Sequence, residues 1–165
     1  MNNEGLRYWN EGRYDLAEET LQQALTVGER DLGPNNVGVG IILVNLGLVY
    51  TDQGRYAEAL DVFQRADPVL KREYGQNDPT YAQFLNNIGY AFLRNAEYMK
   101  AQQQFEQSLS IYDAAGVADT VSVLNGLSIG FRESGDLDAA ETFATRALDE
   151  VESQELGWSH RGPVL

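Results

Sequence analysis

Three asparagines, Asn3, Asn45 and Asn87, recur at an interval of 42 residues (45 − 3 and 87 − 45) in this chain of 165. A side-chain amide offers one acceptor and two donors. It pairs with peptide groups and breaks no bonds. Residues that do break bonds are scarce. The sequence has no cysteine, which removes disulfides and thiolate chemistry. Its single histidine, His160, lies in the C-terminal stretch. There it reads as part of a linker, because general-base work needs a positioned partner. Glu18-Glu19 and Asp149-Glu150 are adjacent in sequence, so neither pair shares a helix face, and both read as solvated. Gly38-Val39-Gly40 lacks the third glycine of a dinucleotide loop and follows no strand. Gln102-Gln103-Gln104 fits an exposed helix face, and no metal-ligand spacing appears. The residues point to binding without catalysis, cofactor or metal.

The asparagines share their interval with other residues. Tyr14, Tyr56 and Tyr98 keep it, as do Ala17, Ala59 and Ala101, and Gly5, Gly47 and Gly89. Gly33 and Gly75 mark two unit ends at the same step. A fourth copy follows after 39 residues (140 − 101), with Leu127, Phe131, Gly135, Ala140 and Ala147 in matching places and Ser128 replacing the glycine. Several residue types holding one period signal a repeat array. Within a unit, LGLVYTDQGRYAEALDVFQRA (Leu46 to Ala66) reads as two helices broken at Gln53-Gly54-Arg55, with Gly54 suited to positive φ. Small residues at Gly47 and Ala59 let the two backbones approach, and Leu46, Tyr50 and Phe63 fill the space between them.

The periodicity predicts helices over 2–11, 14–31, 40–53, 55–73, 79–94, 97–114, from Asp119 or Thr120 to about 134, and over 136–154. Gly38 and Gly40 are expected to delay the third helix, since each costs about 1 kcal/mol inside one. Pro68 predicts a kink or break near Ala66-Asp67. Asp78-Pro79 reads as an N-cap with proline at the first helical position. In the third unit Asn95-Ala96 replaces the Gly54 turn, with Asn95 expected to tolerate the left-handed conformation.

Hydrophobic content of 43% argues against disorder. A net charge of −13 argues against nucleic acid and anionic membrane as partners. No apolar run reaches transmembrane length, the first residues lack a signal peptide's basic and apolar regions, and cytosol is the default setting.

NLGLVYTDQGRYAEALDVFQRA and NIGYAFLRNAEYMKAQQQFEQS resemble the tetratricopeptide repeat, in the long form of about 42 residues found in kinesin light chains. The resemblance covers nearly the whole chain and implies an all-α fold: an α-solenoid of antiparallel helix hairpins, about four repeats in a right-handed superhelix. It divides a single domain, 1–165, into repeats of about 1–35, 36–77, 78–117 and 118–156, with a tail, 157–165, that resembles the linker before another repeat or folds back through Trp158 as a cap. It also implies a concave surface built by the first helix of each pair. The lining it implies is Val44, Asn45, Leu48, Thr51 and Asp52, then Asn86, Asn87, Tyr90, Leu93 and Arg94, then Asn125, Ile129, Arg132 and Glu133. Asn2, Asn3, Leu6, Trp9 and Asn10 extend it, with Ile41 and Gln83 a turn earlier. On that surface the asparagines suit the peptide groups of an extended ligand, while Leu48, Tyr90, Leu93 and Ile129 suit apolar pockets. Arg94 and Arg132 suit a carboxylate. The competing reading is that the asparagines hydrogen-bond the next hairpin or water, and that the arginines pair with local acids such as Glu133. The functional expectation is a non-catalytic scaffold binding a protein or peptide segment. The alternatives are a self-assembling module, joined through its terminal helices, and a regulatory piece of a larger protein.

Overall fold

The computed structural model describes residues 1–159, with side chains through 153. Eight helices account for nearly all of that span: α1 Asn2–Asn10, α2 Tyr14–Leu32, α3 Val37–Asp52, α4 Tyr56–Tyr74, α5 Pro79–Arg94, α6 Tyr98–Ala115, α7 Val121–Ser134 and α8 Leu137–Ser159. Consecutive helices pack as hairpins. The odd-numbered helices also bring their backbones together in succession, α1 to α3 to α5 to α7, whereas among the described residues the even-numbered helices meet only through long side chains. A stack held close on one side and splayed on the other bends toward the close side. The odd helices therefore line the hollow.

Each hairpin turns through one positive-φ residue. After α3, Gly54 (φ 75°) lets Arg55 N donate to Tyr50 O at 2.8 Å. After α5 the same bond runs from Glu97 N to Phe92 O at 2.9 Å, but the left-handed residue is Ala96 (φ 59°), not the expected Asn95, whose φ is −82°. Asn95 instead donates to Glu97 Oε1 at 2.7 Å. An alanine in that conformation costs about 1–2 kcal/mol. Ala96→Gly relieves the strain but frees the unfolded chain by about 0.4–1 kcal/mol. We expect a net stabilisation of about 0.5–1 kcal/mol by urea denaturation, and unchanged or lower stability would contradict the strain.

The glycines at the 42-residue step serve close packing. A Cβ on Gly47 would lie 2.4 Å from the ring of Phe63, and one on Gly89 2.6 Å from that of Phe105. Both phenylalanines are fully buried. In the fourth copy Ser128 takes the glycine's place and donates to Ala140 O at 2.9 Å.

Several elements differ from expectation. Gly38 and Gly40 do not delay α3, because the Asn36 side chain caps it by accepting from Gly38 N at 2.8 Å. Gly40 is buried against Val69, where a Cβ would meet a methyl at 3.0 Å. Pro68 causes no break: α4 runs unbroken through it. Its ring is exposed, as is Gln64, whose carbonyl loses a donor, so water can satisfy that group. Asp78 caps α5 as expected, accepting from Thr80 N at 2.7 Å. Helix α8 continues to Ser159, past the expected end at 154 and into the expected tail. His160 and the cap proposed for the Trp158 side chain lie outside the described residues.

Candidate functional site

The residues expected to face the hollow divide into two groups. Tyr90, Leu93 and Arg94 from α5 and Ile129 from α7 surround one concavity of about 400 Å³. Tyr56, at the start of α4, completes it. Tyr56 was legible only as a member of the tyrosine series. Its place in the wall follows from the turn at Gly54, which sets the start of α4 beside the end of α5. The Tyr90 ring stands edge-on to Phe105 at 5.1 Å, and its hydroxyl donates to Ser122 O at 2.7 Å. The aromatic wall is thereby fixed from behind. Arg94 is exposed and, among the described residues, forms no ion pair.

The other candidates are mostly committed to the array itself. Asn45 donates to Asn2 Oδ1 at 2.9 Å, tying the second hairpin to the first. Asn86 is 3% exposed and donates to Ser122 Oγ at 3.2 Å, so the ligand-facing role expected for it gives way to the inter-hairpin one. Its Oδ1 is buried without a partner. Asn87 accepts from Gln83 Nε2 at 3.3 Å within α5 and keeps its own donors free. Asn125 is exposed. Leu48 is half-buried against the core. Thr51 is buried and donates to Gly47 O at 2.8 Å, so it does not line the surface. Asp52 accepts from Trp9 Nε1 at 2.7 Å. Arg132 pairs with Glu133 at 2.8 Å, the local alternative.

Acids read as solvated also prove to be engaged. Glu18 receives Arg55 at 2.6 Å and Gln53 at 3.1 Å. Glu150 receives the amide and hydroxyl of Thr120 at 2.5 and 2.6 Å. Gln102 is not on an exposed face: it is buried and donates to Ser134 Oγ at 2.9 Å. Each of these partners lies thirty or more residues away, beyond the reach of helix periodicity.

Perturbed groups are few. Burial pushes the Tyr81 hydroxyl well above the ordinary tyrosine range, and its hydrogen bond to Asp67, 2.7 Å, adds to the shift. The Arg55 guanidinium holds the Glu58 carboxyl below the usual range. Each shift is accounted for by the burial or the hydrogen-bonded partner just named. Among the described residues no acidic or histidine cluster has metal-site geometry, and no helix is long and apolar enough to cross a membrane.

The tetratricopeptide repeat family model matches residues 1–72, 43–114 and 80–149 in overlapping copies. The chain belongs to the tetratricopeptide repeat family. The fold matches the crystal structure of BtubC (BKLC) from P. vanneervenii with a TM-score of 0.87 at 21% identity, covering 93% of this chain and 63% of that one. It also matches a structure of nearly identical TPR-like repeats from Podosopora anserina, with a TM-score of 0.80 at 15% identity, covering 93% of this chain and 74% of that one. This tetratricopeptide chain thus spans less than two thirds of the length of the BtubC structure. No curated protein sequence matches significantly. Repeats of this family commonly serve as protein–protein interaction scaffolds.

Proposed function

We propose that this tetratricopeptide chain is a non-catalytic docking scaffold that holds an extended partner segment along the hollow of the stack, in a cytosolic setting. The observation that carries the reading is the concavity of Tyr56, Tyr90, Leu93, Arg94 and Ile129. It joins an aromatic and aliphatic wall to a guanidinium with no acidic partner among the described residues, in a chain with 25 acidic and 12 basic residues. An apolar side chain and a carboxylate on one peptide would satisfy both. The free donors of Asn87 and the exposed amide of Asn125 would pair with that peptide's backbone.

Fluorescence anisotropy with labelled dodecapeptides from a random library tests this on the full chain. We expect Arg94→Ala to weaken the binding peptides about tenfold, the size of one lost charge-assisted hydrogen bond. Affinities equal to wild type in Arg94→Ala would remove the reading.

The second reading, self-association through chain ends, is favoured by the last helix. Leu148 and Val151 of α8 stand 39 residues after Leu109 and Tyr112, which are 7% and 6% exposed. On α8 the same positions are 63% and 38% exposed. A mass by light scattering that stays monomeric at high concentration would reject it.

A further inference from the structure

The outer surface carries a second cleft, of about 420 Å³, where α4 and α6 diverge above α5. Its floor is apolar: Leu60 from α4, with Leu85, Ile88 and Phe92 from α5. The neighbouring junctions explain why it stands open. Between the first and second hairpins, Arg65 of α4 forms an ion pair with Glu29 of α2. Between the third and fourth, Arg146 of α8 pairs with Asp113 of α6 at 2.6 Å. These pairs occupy one register of the repeat: 29, 71 and 113 on one helix, 65, 107 and 146 on the next. At the middle junction the register holds Lys71 and Gln107, which form no such pair, and both line the cleft.

A second bridge is lost at the same place. Arg55 reaches Glu18 at 2.6 Å across the first junction. One step of 42 residues later those positions hold Glu97 and Leu60. Leu60 puts an apolar side chain where the first junction has a carboxylate. The middle junction has therefore exchanged two bridging ion pairs for an apolar floor and a lone cation.

That cation gives the cleft its selectivity. Among the described residues every lysine and arginine other than Lys71 and Arg94 meets a carboxylate or, for Arg72, the carbonyl of Asn35. Of the acids at the cleft, Asp67 is held by the Tyr81 hydroxyl at 2.7 Å. Asp61 lies ten residues before Lys71 on α4, about 15 Å away along the helix. Asp67, one turn before Lys71, keeps its charge but forms no ion pair with it, so a carboxylate arriving at Lys71 meets a cation with no ion-pair partner among the described residues.

We propose that this outer cleft docks a partner's short segment that sets one or two large apolar side chains on Leu85, Ile88 and Phe92 and a carboxylate on Lys71. It is separate from the hollow and independent of the reading given for that surface. A cleft of this size lies within the range of ligand sites, roughly 300–1,000 Å³.

Dodecapeptides displayed on phage and selected on the full chain are the probe. We expect enriched sequences that combine large apolar residues with Asp or Glu. The double variant Lys71→Glu with Gln107→Arg restores the pair seen at both flanking junctions, and should weaken a peptide of that set at least tenfold while the chain keeps its cooperative thermal transition. Lys71→Gln leaves the cleft open and should remove only the preference for acidic peptides. Peptides that depend on Lys71 should bind Arg94→Ala, a change in the hollow, as tightly as wild type, whereas peptides seated in the hollow should lose affinity. The proposal is overturned if no peptide is enriched, if the enriched peptides bind the double variant as well as wild type, or if only Arg94→Ala weakens them.

Discussion

Phe105→Ala is expected to lower the free energy of unfolding by about 3–5 kcal/mol in urea denaturation, the cost of emptying a large core site. The side chain is fully buried between two hairpins. Its ring faces Gly89 of α5 and Gly126 of α7, where added Cβ atoms would fall 2.6 and 2.5 Å from ring carbons. It is thus a buried apolar contact through which the third hairpin supports the fourth, beside the polar ones from Asn86, Tyr90 and Gln102. The fourth copy supplies a control. There Ser128 stands in the register of Gly89, and Ala144 in that of Phe105. The larger residue at one position accompanies the smaller at the other. Gly89→Ser alone should cost roughly 1–3 kcal/mol by overpacking against the ring. Joined to Phe105→Ala, it should cost at least about 1 kcal/mol less than the two single changes together, since they share one volume. Strict additivity would show that the sites do not share it.

Glu150→Ala should cost about 2 kcal/mol or more and act on one end of the array. Thr120, the N-cap of α7, is 2% exposed and makes no capping bond with its own side chain. The cap comes from α8: the Glu150 carboxylate accepts from both the amide and the hydroxyl of Thr120. It also places a negative charge at the positive end of α7. Removing it leaves two buried donors unpaired, at about 1–3 kcal/mol each, less whatever water recovers. Each hairpin contacts only its neighbours, so the loss should stay local. Hydrogen exchange is expected to quicken in α7 and α8 and to hold at wild-type rates in α1 to α4, while Glu150→Gln recovers part of the protection. Uniform quickening along the chain would contradict a local cap.

The two experiments separate what can be read along a helix from what arises between helices. The 42-residue step predicted the hairpins because a glycine facing a phenylalanine requires the same spacing wherever two helices cross closely, as at Gly47–Phe63 and Gly89–Phe105. The Asp78 cap was legible for a similar reason: it acts on an amide two residues away. Expectations failed where a distant group or solvent decided. Gly40 lowers helix propensity, yet it is the residue that fits against Val69. Pro68 removes a hydrogen bond, but on the solvent side. Asn95 is the better left-handed residue in isolation, whereas the hairpin geometry puts Ala96 in that conformation.

The candidate site divided along the same line. Its aromatic and aliphatic members, Tyr90 and Ile129, lie together as expected, because they follow the face of a helix whose orientation the repeat fixes. The amides did not. Asn45 and Asn86 were spent on neighbouring hairpins, since an amide pairs with whatever donor or acceptor comes within 3 Å, and only packing sets which one does. The same reason hid the outer cleft. Glu29, Lys71 and Asp113 are legible as one register, but whether each finds a partner depends on the residue facing it from a helix some thirty-five positions further on. By itself the sequence determined a stack of helix pairs, because period and side-chain size are properties of a chain. Only the tertiary structure decided which charges and amides remain free to bind, because a polar group is free or committed according to its nearest neighbour in space.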